Sequence, residues 1–147
     1  MLKHLYLIVR YLLGLLILTT AIGKLLDNRG FADVLETYQL GLSADILLFL
    51  GLGISLFELF LAIFIFLPTT QKWTSITTVL MHIGYTFLAI VTLSRGLDIP
   101  NCGCFGIFWA RPMTITTVFE DLFLVAISGI FFVLSKKCGA FTVLKNS

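Results

Sequence analysis

Residues 46–67 read ILLFLGLGISLFELFLAIFIFL, an apolar stretch interrupted by one acidic residue, Glu58. As an α-helix rising about 1.5 Å per residue, this stretch would be about 33 Å long, which is enough to cross the roughly 30 Å hydrocarbon core of a bilayer. It lacks the alternation of polar and apolar residues that a membrane-spanning β-strand would show. We therefore predict a membrane-spanning helix over residues 46–67.

The composition of the whole chain is also that of a membrane protein. Its 147 residues are 59% hydrophobic and 12% charged, with a mean hydropathy of +1.04, whereas globular proteins average about 45–50% apolar and about 25% charged residues. A chain this short cannot bury so much apolar surface in water, which argues against a soluble enzyme, a disordered linker and a disulfide-stapled mini-protein. A net charge of +2 is too small to indicate a nucleic-acid partner. We expect one integral membrane domain over residues 1–147, embedded in a lipid bilayer.

Three further apolar stretches are long enough to span a membrane, namely residues 5–23, 74–93 and 115–134. Because lipid offers no partner to a free backbone amide, all four predicted spans are helices. The predicted fold is an all-α membrane protein, a bundle of four transmembrane helices. Lys3 ahead of the first stretch is also typical of a signal peptide, but Arg10 interrupts the apolar run and favours a retained helix.

The segment between the first two spans has a helical pattern of its own. Apolar side chains recur there at spacings of three and four residues, at Phe31, Val34, Leu35, Tyr38 and Leu42. This pattern predicts an amphipathic helix that lies in the membrane interface between helices 1 and 2.

Charged residues differ between the two ends of the predicted bundle. The end with both termini and the 68–73 turn has basic residues and no acids: Lys3, Arg10, Lys72, Lys136, Lys137 and Lys145. The other end mixes Lys24, Arg29, Arg95 and Arg111 with Asp27, Asp33, Glu36, Asp45 and Asp98. Basic loops stay on the cytoplasmic side, so we expect both termini in the cytoplasm of a bacterial inner membrane and the 94–113 loop in the periplasm. Gly139 is a suitable stop for the last helix.

Cys102 and Cys104 lie in that loop, separated by Gly103. Cysteines one residue apart have Cα atoms at most about 7 Å apart, so a disulfide is geometrically accessible. Its small ring would be strained, and strained disulfides are oxidising and exchange readily. This favours a redox-active pair; two alternatives are a pair of reduced cysteines that pack as small apolar residues and half of a metal site. Cys138, expected at the opposite membrane face, is predicted to be a free thiol.

Polar residues inside the spans form a second group of candidates. Glu58 and His82 fall at similar predicted depths, and an unpaired carboxylate near the bilayer centre costs about 2.5–3.5 kcal/mol. One hypothesis is that the two pair and act as proton partners, with Tyr85, one turn from His82, joining the same patch. The alternative is that a protonated Glu58 is hydrogen-bonded elsewhere while His82 packs separately.

A further polar group is expected near the outer end of the fourth span. Glu120 and Asp121 lie there at a height similar to that of Lys24 and Arg111. We predict an ion-pair cluster under the Cys-Gly-Cys loop.

The chain resembles the DoxX-like membrane proteins and, among them, the methylamine utilisation protein MauE group. The resemblance rests on Ala21-Ile22-Gly23-Lys24-Leu25, on Glu58-Leu59 and most specifically on Cys102-Gly103-Cys104-Phe105-Gly106. It implies a four-helix membrane bundle that works beside a thioredoxin-like partner in periplasmic disulfide handling. Family members often have a basic residue before an acidic or amide one early in the fourth span, whereas this chain has Glu120-Asp121.

The sequence thus favours a membrane thiol–disulfide oxidoreductase that exchanges electrons between Cys102–Cys104 and a thioredoxin-like protein. Because only one cysteine pair is expected on that side, a second electron carrier is needed, and a quinone held between the helices is the simplest candidate. The alternative is a non-catalytic assembly or docking subunit with a structural cysteine pair. A transporter ranks third, since few charges lie at mid-membrane depth.

Overall fold

The computed structural model describes residues 1–138, which contain five α-helices and no β-strand. The helices are α1 (Leu2–Leu26), α2 (Asn28–Thr37), α3 (Ala44–Phe66), α4 (Gln71–Ser94) and α5 (Ile115–Lys137). Two 3-10 turns, Pro68–Thr70 and Gly106–Phe108, lie in the connections. The predicted helix stop at Gly139 and the basic residue Lys145 lie outside the described residues.

Four of the helices, α1, α3, α4 and α5, are long and apolar enough to cross a membrane. This confirms the predicted all-α fold with four spans. The helices differ from the predicted spans at their ends: α1 runs three residues further than residues 5–23 in both directions, which places Lys24 inside the helix. Large apolar side chains cover the outside of the bundle, among them Phe49, Phe87 and Phe119, as expected of helices in contact with lipid.

Local sequence explains where several helices begin and end. The Asp27 carboxylate accepts a hydrogen bond from the Gly30 amide at 2.9 Å and so caps the start of α2. Thr114 and Thr117 form a capping box at the start of α5, in which each hydroxyl accepts from the other residue's backbone amide. Pro68 follows the end of α3, where its missing amide hydrogen is tolerated.

The four spanning helices form two pairs. α1 packs extensively along α3 and α4 along α5, whereas the contacts of α1 with α5 and of α3 with α4 are fewer. Apolar side chains fill the half of the bundle that holds the chain termini, with Leu13, Ile17, Leu61, Ile65 and Phe131 in one core cluster. The less extensive contacts between the two pairs leave room for a cavity in the other half.

Arg10 and Gln71 cap the end of α3 from inside the bundle. Arg10 Nε donates to the Ile65 carbonyl at 2.7 Å, and Gln71 Nε2 donates to the Ile65 and Leu67 carbonyls. Tyr6 in turn donates to Gln71 Oε1 at 3.0 Å. The last carbonyls of a helix have no partner within it, so these side chains satisfy groups that lipid could not. Arg10 is therefore a buried capping residue as well as one of the basic residues at this end.

The predicted amphipathic helix exists but is shorter than expected and packs against protein. α2 ends at Thr37, and Leu42 lies beyond it with an exposed side chain. Phe31 and Leu35 are buried against α3, where the absence of a side chain at Gly51 lets α2 approach closely. α2 thus covers the end of the bundle opposite the start of α1; its position in a membrane interface stays a prediction.

Because the spans are even in number, the start of α1 and the end of α5 lie at one end of the bundle and the Cys-Gly-Cys loop lies at the other. The side of the membrane that each end faces stays a prediction.

Candidate functional site at the Cys-Gly-Cys loop

The segment that carries the cysteines folds back on itself as a hairpin. The Cys102 amide donates to the Arg111 carbonyl at 2.8 Å, and the Met113 amide donates to the Ile99 carbonyl at 2.9 Å. Gly103, at the turn between the two cysteines, has a φ of +71°, a region that favours glycine. Cys102 is buried, with 5% of its surface exposed, and Cys104 is half-buried. Both are free thiols in this structure.

A contact between two glycines fixes the loop to the end of α1. A Cβ atom placed on Gly106 would lie 2.2 Å from the carbonyl carbon of Gly23, and one placed on Gly23 would lie 2.4 Å from the Phe105 carbonyl oxygen. Neither position has room for a side chain. The backbone of the loop therefore rests directly on the backbone of α1.

A second set of contacts joins the loop to α2 and α4. The Tyr38 hydroxyl donates to the Cys102 carbonyl at 2.9 Å, and Arg95 of the α4 C-cap donates to the Tyr38 carbonyl at 3.0 Å. Val34 and Phe31 pack against Gly103, where an added Cβ would lie 2.9 Å from Val34. Ala89 of α4 lies in the same apolar cluster as Cys102, so the loop is held at three sides, by α1, α2 and α4.

The two thiols have different environments. The pKa of Cys102 is lowered to about 6, chiefly by a hydrogen bond from the Cys104 side chain and additionally by Arg111, while burial acts in the opposite direction. The pKa of Cys104 is raised by the same interaction with Cys102 and by burial. Glu120 forms an ion pair with Arg111 and raises the pKa of the guanidinium, which therefore stays positively charged beside Cys102. Cys102 is the thiol that ionises first.

Glu58 is bound by three polar side chains from two other helices. Lys24 Nζ donates to Glu58 Oε1 at 2.6 Å, the Tyr85 hydroxyl donates to the same oxygen, and the Thr20 hydroxyl lies 3.3 Å from Oε2. Lys24 and Glu58 are 3% and 1% exposed. The Lys24 ammonium also lies 5.3 Å from the centroids of the Phe31 and Tyr85 rings, within range of a cation–π contact. The buried carboxylate is therefore neutralised by a lysine.

A pair of Glu58 with His82 is not formed among the described residues. His82 Nδ1 lies 2.9 Å from the Thr78 carbonyl and 2.9 Å from the Ser128 hydroxyl, so this one nitrogen either donates to the first or accepts from the second. Of the two hypotheses, the structure therefore has Glu58 bound elsewhere and His82 packed separately, because Lys24 reaches Glu58 from inside α1. Tyr85 does join the Glu58 patch, as expected.

The ion-pair cluster predicted under the loop is present in part. Arg111 pairs with Glu120, as expected. The inclusion of Lys24 in that cluster was wrong, because Lys24 lies deeper and pairs with Glu58.

One cavity of about 400 Å³ connects these groups. The two cysteines and Arg111 line it on the loop side, while Lys24, Glu58, His82 and Tyr85 line its wall within the bundle. The rest of the wall is mostly apolar and includes Leu16, Ile54, Met81, Leu88, Ala89 and Leu124. The structure therefore brings all four predicted site residues, Cys102, Cys104, Glu58 and His82, to a single cavity, although Glu58 and His82 do not touch.

No group of three or more His, Cys, Asp or Glu side chains within residues 1–138 is arranged to hold a metal ion. Cys138, the third thiol, lies at the C-terminal end of α5, at the other end of the bundle from the cavity.

Comparison with known proteins identifies the family to which this chain belongs. The sequence matches the family model of the methylamine utilisation protein MauE over residues 2–134, which is nearly the whole chain. No match was found among curated proteins or among solved structures. The wider DoxX-like grouping stays a prediction. The matched range contains the Gly-Lys, Glu-Leu and Cys-Gly-Cys-Phe-Gly motifs, from which Lys24, Glu58, Cys102 and Cys104 line the cavity, and the chain belongs to the MauE family.

Proposed function

We propose that this integral membrane protein is a thiol–disulfide redox protein whose Cys102–Cys104 pair exchanges electrons with a thioredoxin-like partner in periplasmic disulfide formation. The observation that carries the proposal is the position of the pair. Two thiols of unequal acidity lie side by side in a loop that is held against α1, α2 and α4, at the edge of a cavity with Arg111 beside Cys102. A pair that served only to stabilise a loop would gain little, because its ring constrains almost no chain entropy.

The different environments of the two thiols suggest a division of roles. In the oxidised protein a thiolate of the partner attacks Cys104, the more exposed sulfur, and forms a mixed disulfide. Cys102 leaves as the thiolate, which its lowered pKa favours. A second thiol of the partner then displaces Cys104, so the partner gains a disulfide and this protein gains two thiols.

The family description names methylamine utilisation. This description names a metabolic process but no reaction. The reaction is inferred from the cysteine pair. We propose that the protein acts on the disulfides of periplasmic proteins that take part in that process.

Trapping of the mixed disulfide tests the proposal. In a Cys138→Ser background, Cys102→Ser removes the thiol that would release the adduct by attacking Cys104, and Cys104 forms the adduct with the disulfide of the oxidised partner. We expect an adduct that reducing agent releases on gels after acid quenching, and we expect mass spectrometry to identify a thioredoxin-fold protein in it. Cys104→Ser, which leaves only the buried thiol, is the matched control and should form less adduct.

The alternative of a docking subunit makes the opposite forecast. If neither single variant forms an adduct, and a variant with serine at both positions supports full growth on methylamine, the cysteine pair has no redox role and the protein acts by holding a partner at the membrane.

A further inference from the structure

A dithiol that oxidises a partner must itself be reoxidised, and the described part of the chain offers no second dithiol for this. Cys138 follows the far end of α5, a helix about 34 Å long, and is too far for direct exchange with Cys102 or Cys104. The electrons therefore need an acceptor that can come within contact distance of the loop. The cavity beneath the loop is the place where such an acceptor would fit.

The cavity has the properties of a site for a small apolar molecule. Its volume of about 400 Å³ lies in the range of ligand pockets. Phe123 and Trp109 line it and are also exposed on the outside of the protein, so the cavity reaches the surface of the bundle. Phe123 belongs to a spanning helix, which means that this opening faces lipid. A molecule dissolved in the bilayer can therefore enter.

The wall of the cavity also contains hydrogen-bond donors at membrane depth. The structure gives Lys24 one hydrogen-bond acceptor, Glu58, although an ammonium group has three donors. Tyr85 is hydrogen-bonded to the same carboxylate. The other charged or titratable groups that line the cavity are His82, Tyr38, Arg111, Glu120 and Asp121. Buried ion pairs within a membrane are expensive and are commonly retained for function.

Resting on the proposed function, we propose that this cavity binds the head group of a quinone, with the Lys24 ammonium beside one of its carbonyl oxygens, and that the quinone reoxidises Cys102 and Cys104. One end of the site supplies donors to a carbonyl group, the other end supplies the two thiols, and the apolar wall between them suits a ring with an isoprenoid tail in lipid.

The reaction balances without another reagent. Cys102 reacts as the thiolate, the sulfur–hydrogen bond of Cys104 breaks, a bond forms between the two sulfurs, and two electrons pass to the quinone. Two protons end on the two quinone oxygens, one from Cys104 and one from water, which had taken up the proton that Cys102 lost on ionisation. The products are the disulfide and the hydroquinone, which leaves into the bilayer.

Binding can be measured separately from thiol chemistry. The chain has two tryptophans, Trp109 at the cavity and Trp73 at the other end of the bundle, so a Trp73→Phe variant reports on the cavity alone. With Cys102→Ser and Cys104→Ser added, the full chain in nanodiscs is titrated with decylubiquinone, and decylbenzene serves as an apolar ligand without carbonyls. We expect saturable quenching of Trp109 fluorescence by the quinone that decylbenzene does not displace.

Two pairs of variants locate the site. Ala89→Leu fills the cavity and should abolish saturation, whereas Ala126→Leu adds the same bulk on the exposed face of α5 and should leave it unchanged. Lys24→Met combined with Glu58→Gln removes both charges together and should weaken binding about tenfold, as expected for a lost charged hydrogen bond. Tyr6→Phe removes a buried hydroxyl at the other end of the bundle and should have no effect.

The results of these experiments distinguish a failure of the quinone site from a failure of the proposed thiol–disulfide exchange. Quenching that never saturates, or that Ala89→Leu and Ala126→Leu change equally, shows partition into lipid and overturns the quinone site, even if mixed disulfides form with a partner. Saturable binding that is lost in Ala89→Leu, weakened in the Lys24–Glu58 double variant and unchanged in Ala126→Leu and Tyr6→Phe supports the site, and it does so even if trapping fails and the exchange partner has to be abandoned.

Discussion

The acidity of Cys102 can be tested directly. Its pKa of about 6 means that the thiolate is present above about pH 6, whereas an ordinary cysteine ionises near pH 8.5. In a variant with Cys104→Ser and Cys138→Ser, where the serine hydroxyl can donate in place of the Cys104 thiol, the rate of alkylation by iodoacetamide should rise with pH with a midpoint below that of an ordinary cysteine, which is about 8.5. Arg111→Gln should move that midpoint upwards, because a positive charge beside the thiolate is lost.

Arg29→Gln is the control for that measurement, because Arg29 is an exposed arginine in α2, beyond the cavity. A midpoint near 8.5 in the parent variant would contradict the assignment of Cys102 as the thiol that ionises first. An equal shift for both arginine variants would mean that net charge, and not contact with Arg111, sets the acidity.

The Lys24–Glu58 ion pair makes a prediction about stability. Removing one partner leaves the other charge unpaired inside the bundle, so Lys24→Met and Glu58→Gln should each lower the free energy of unfolding, and the double variant should lose less than the sum. We expect a coupling above about 1 kcal/mol, which exceeds the ~0.6 kcal/mol average for hydrogen bonds between membrane helices. The measurement is unfolding in mixed micelles.

The same double-mutant cycle on Arg111 and Glu120 gives a reference value for the coupling energy of the Lys24–Glu58 pair. That pair is more exposed, with side-chain exposures of 21% and 42%, so its coupling should stay below about 1 kcal/mol. Additive effects of Lys24→Met and Glu58→Gln would show that the two charges do not depend on each other.

At the scale of elements, the contact between the Cys-Gly-Cys loop and α1 depends on Gly106. This residue has a φ of +56° and lies against the backbone of Gly23, so Gly106→Ala introduces backbone strain and a clash together. We expect a loss of stability of about 3 kcal/mol, near the upper end of overpacking effects. We also expect faster alkylation of Cys104, because the loop would detach.

Gly96→Ala is the control that separates backbone strain from the clash with α1. Gly96 also has a positive φ, +69°, but a Cβ atom added there would have no neighbouring atom within 4 Å. The substitution should therefore cost only the strain of the left-handed conformation, about 1–2 kcal/mol. Equal losses in the two variants, with unchanged Cys104 alkylation, would mean that the loop does not need its contact with α1.

The helices were predictable from sequence because hydropathy and length suffice to recognise a span. The partners of individual polar residues were not, because counting along a span gives the depth of a residue but not the direction in which it points. The sequence nevertheless contains a pattern from which the burial of Lys24 could have been predicted. Tyr6, Arg10, Leu13, Ile17, Thr20 and Lys24 recur at alternating spacings of four and three residues and are all buried. Extending this face to the end of α1 places Lys24 inside the bundle.

His82 and Arg111 show why the remaining contacts of the site could not be predicted from the sequence. The partner of His82, Ser128, comes from α5, and the packing of α4 along α5 follows from the assembled bundle and not from any local pattern. Arg111 reaches Cys102 because the loop folds as a hairpin, which the Gly103 turn permits but does not by itself predict. The cysteine pair itself was found because its spacing carries chemical meaning without knowledge of the fold.

At the scale of the whole molecule, the orientation in the membrane decides whether the proposed exchange is feasible, because disulfides persist in the periplasm and not in the cytosol. The basic residues without acids at the end with the termini predict that this end is cytoplasmic.

In a variant with all three cysteines replaced by serine, single cysteines at Asp98 and Lys72 would report on the two ends, since both positions are exposed. An impermeant maleimide applied to intact spheroplasts should label Asp98→Cys and leave Lys72→Cys unlabelled until the membrane is opened. Labelling of Lys72→Cys alone would place the Cys102–Cys104 loop in the reducing cytoplasm and remove the basis for an oxidising role, whatever the acidity of Cys102. Labelling of both positions at the same rate would show leaky membranes, which a cytoplasmic marker protein carrying an exposed cysteine detects in the same sample.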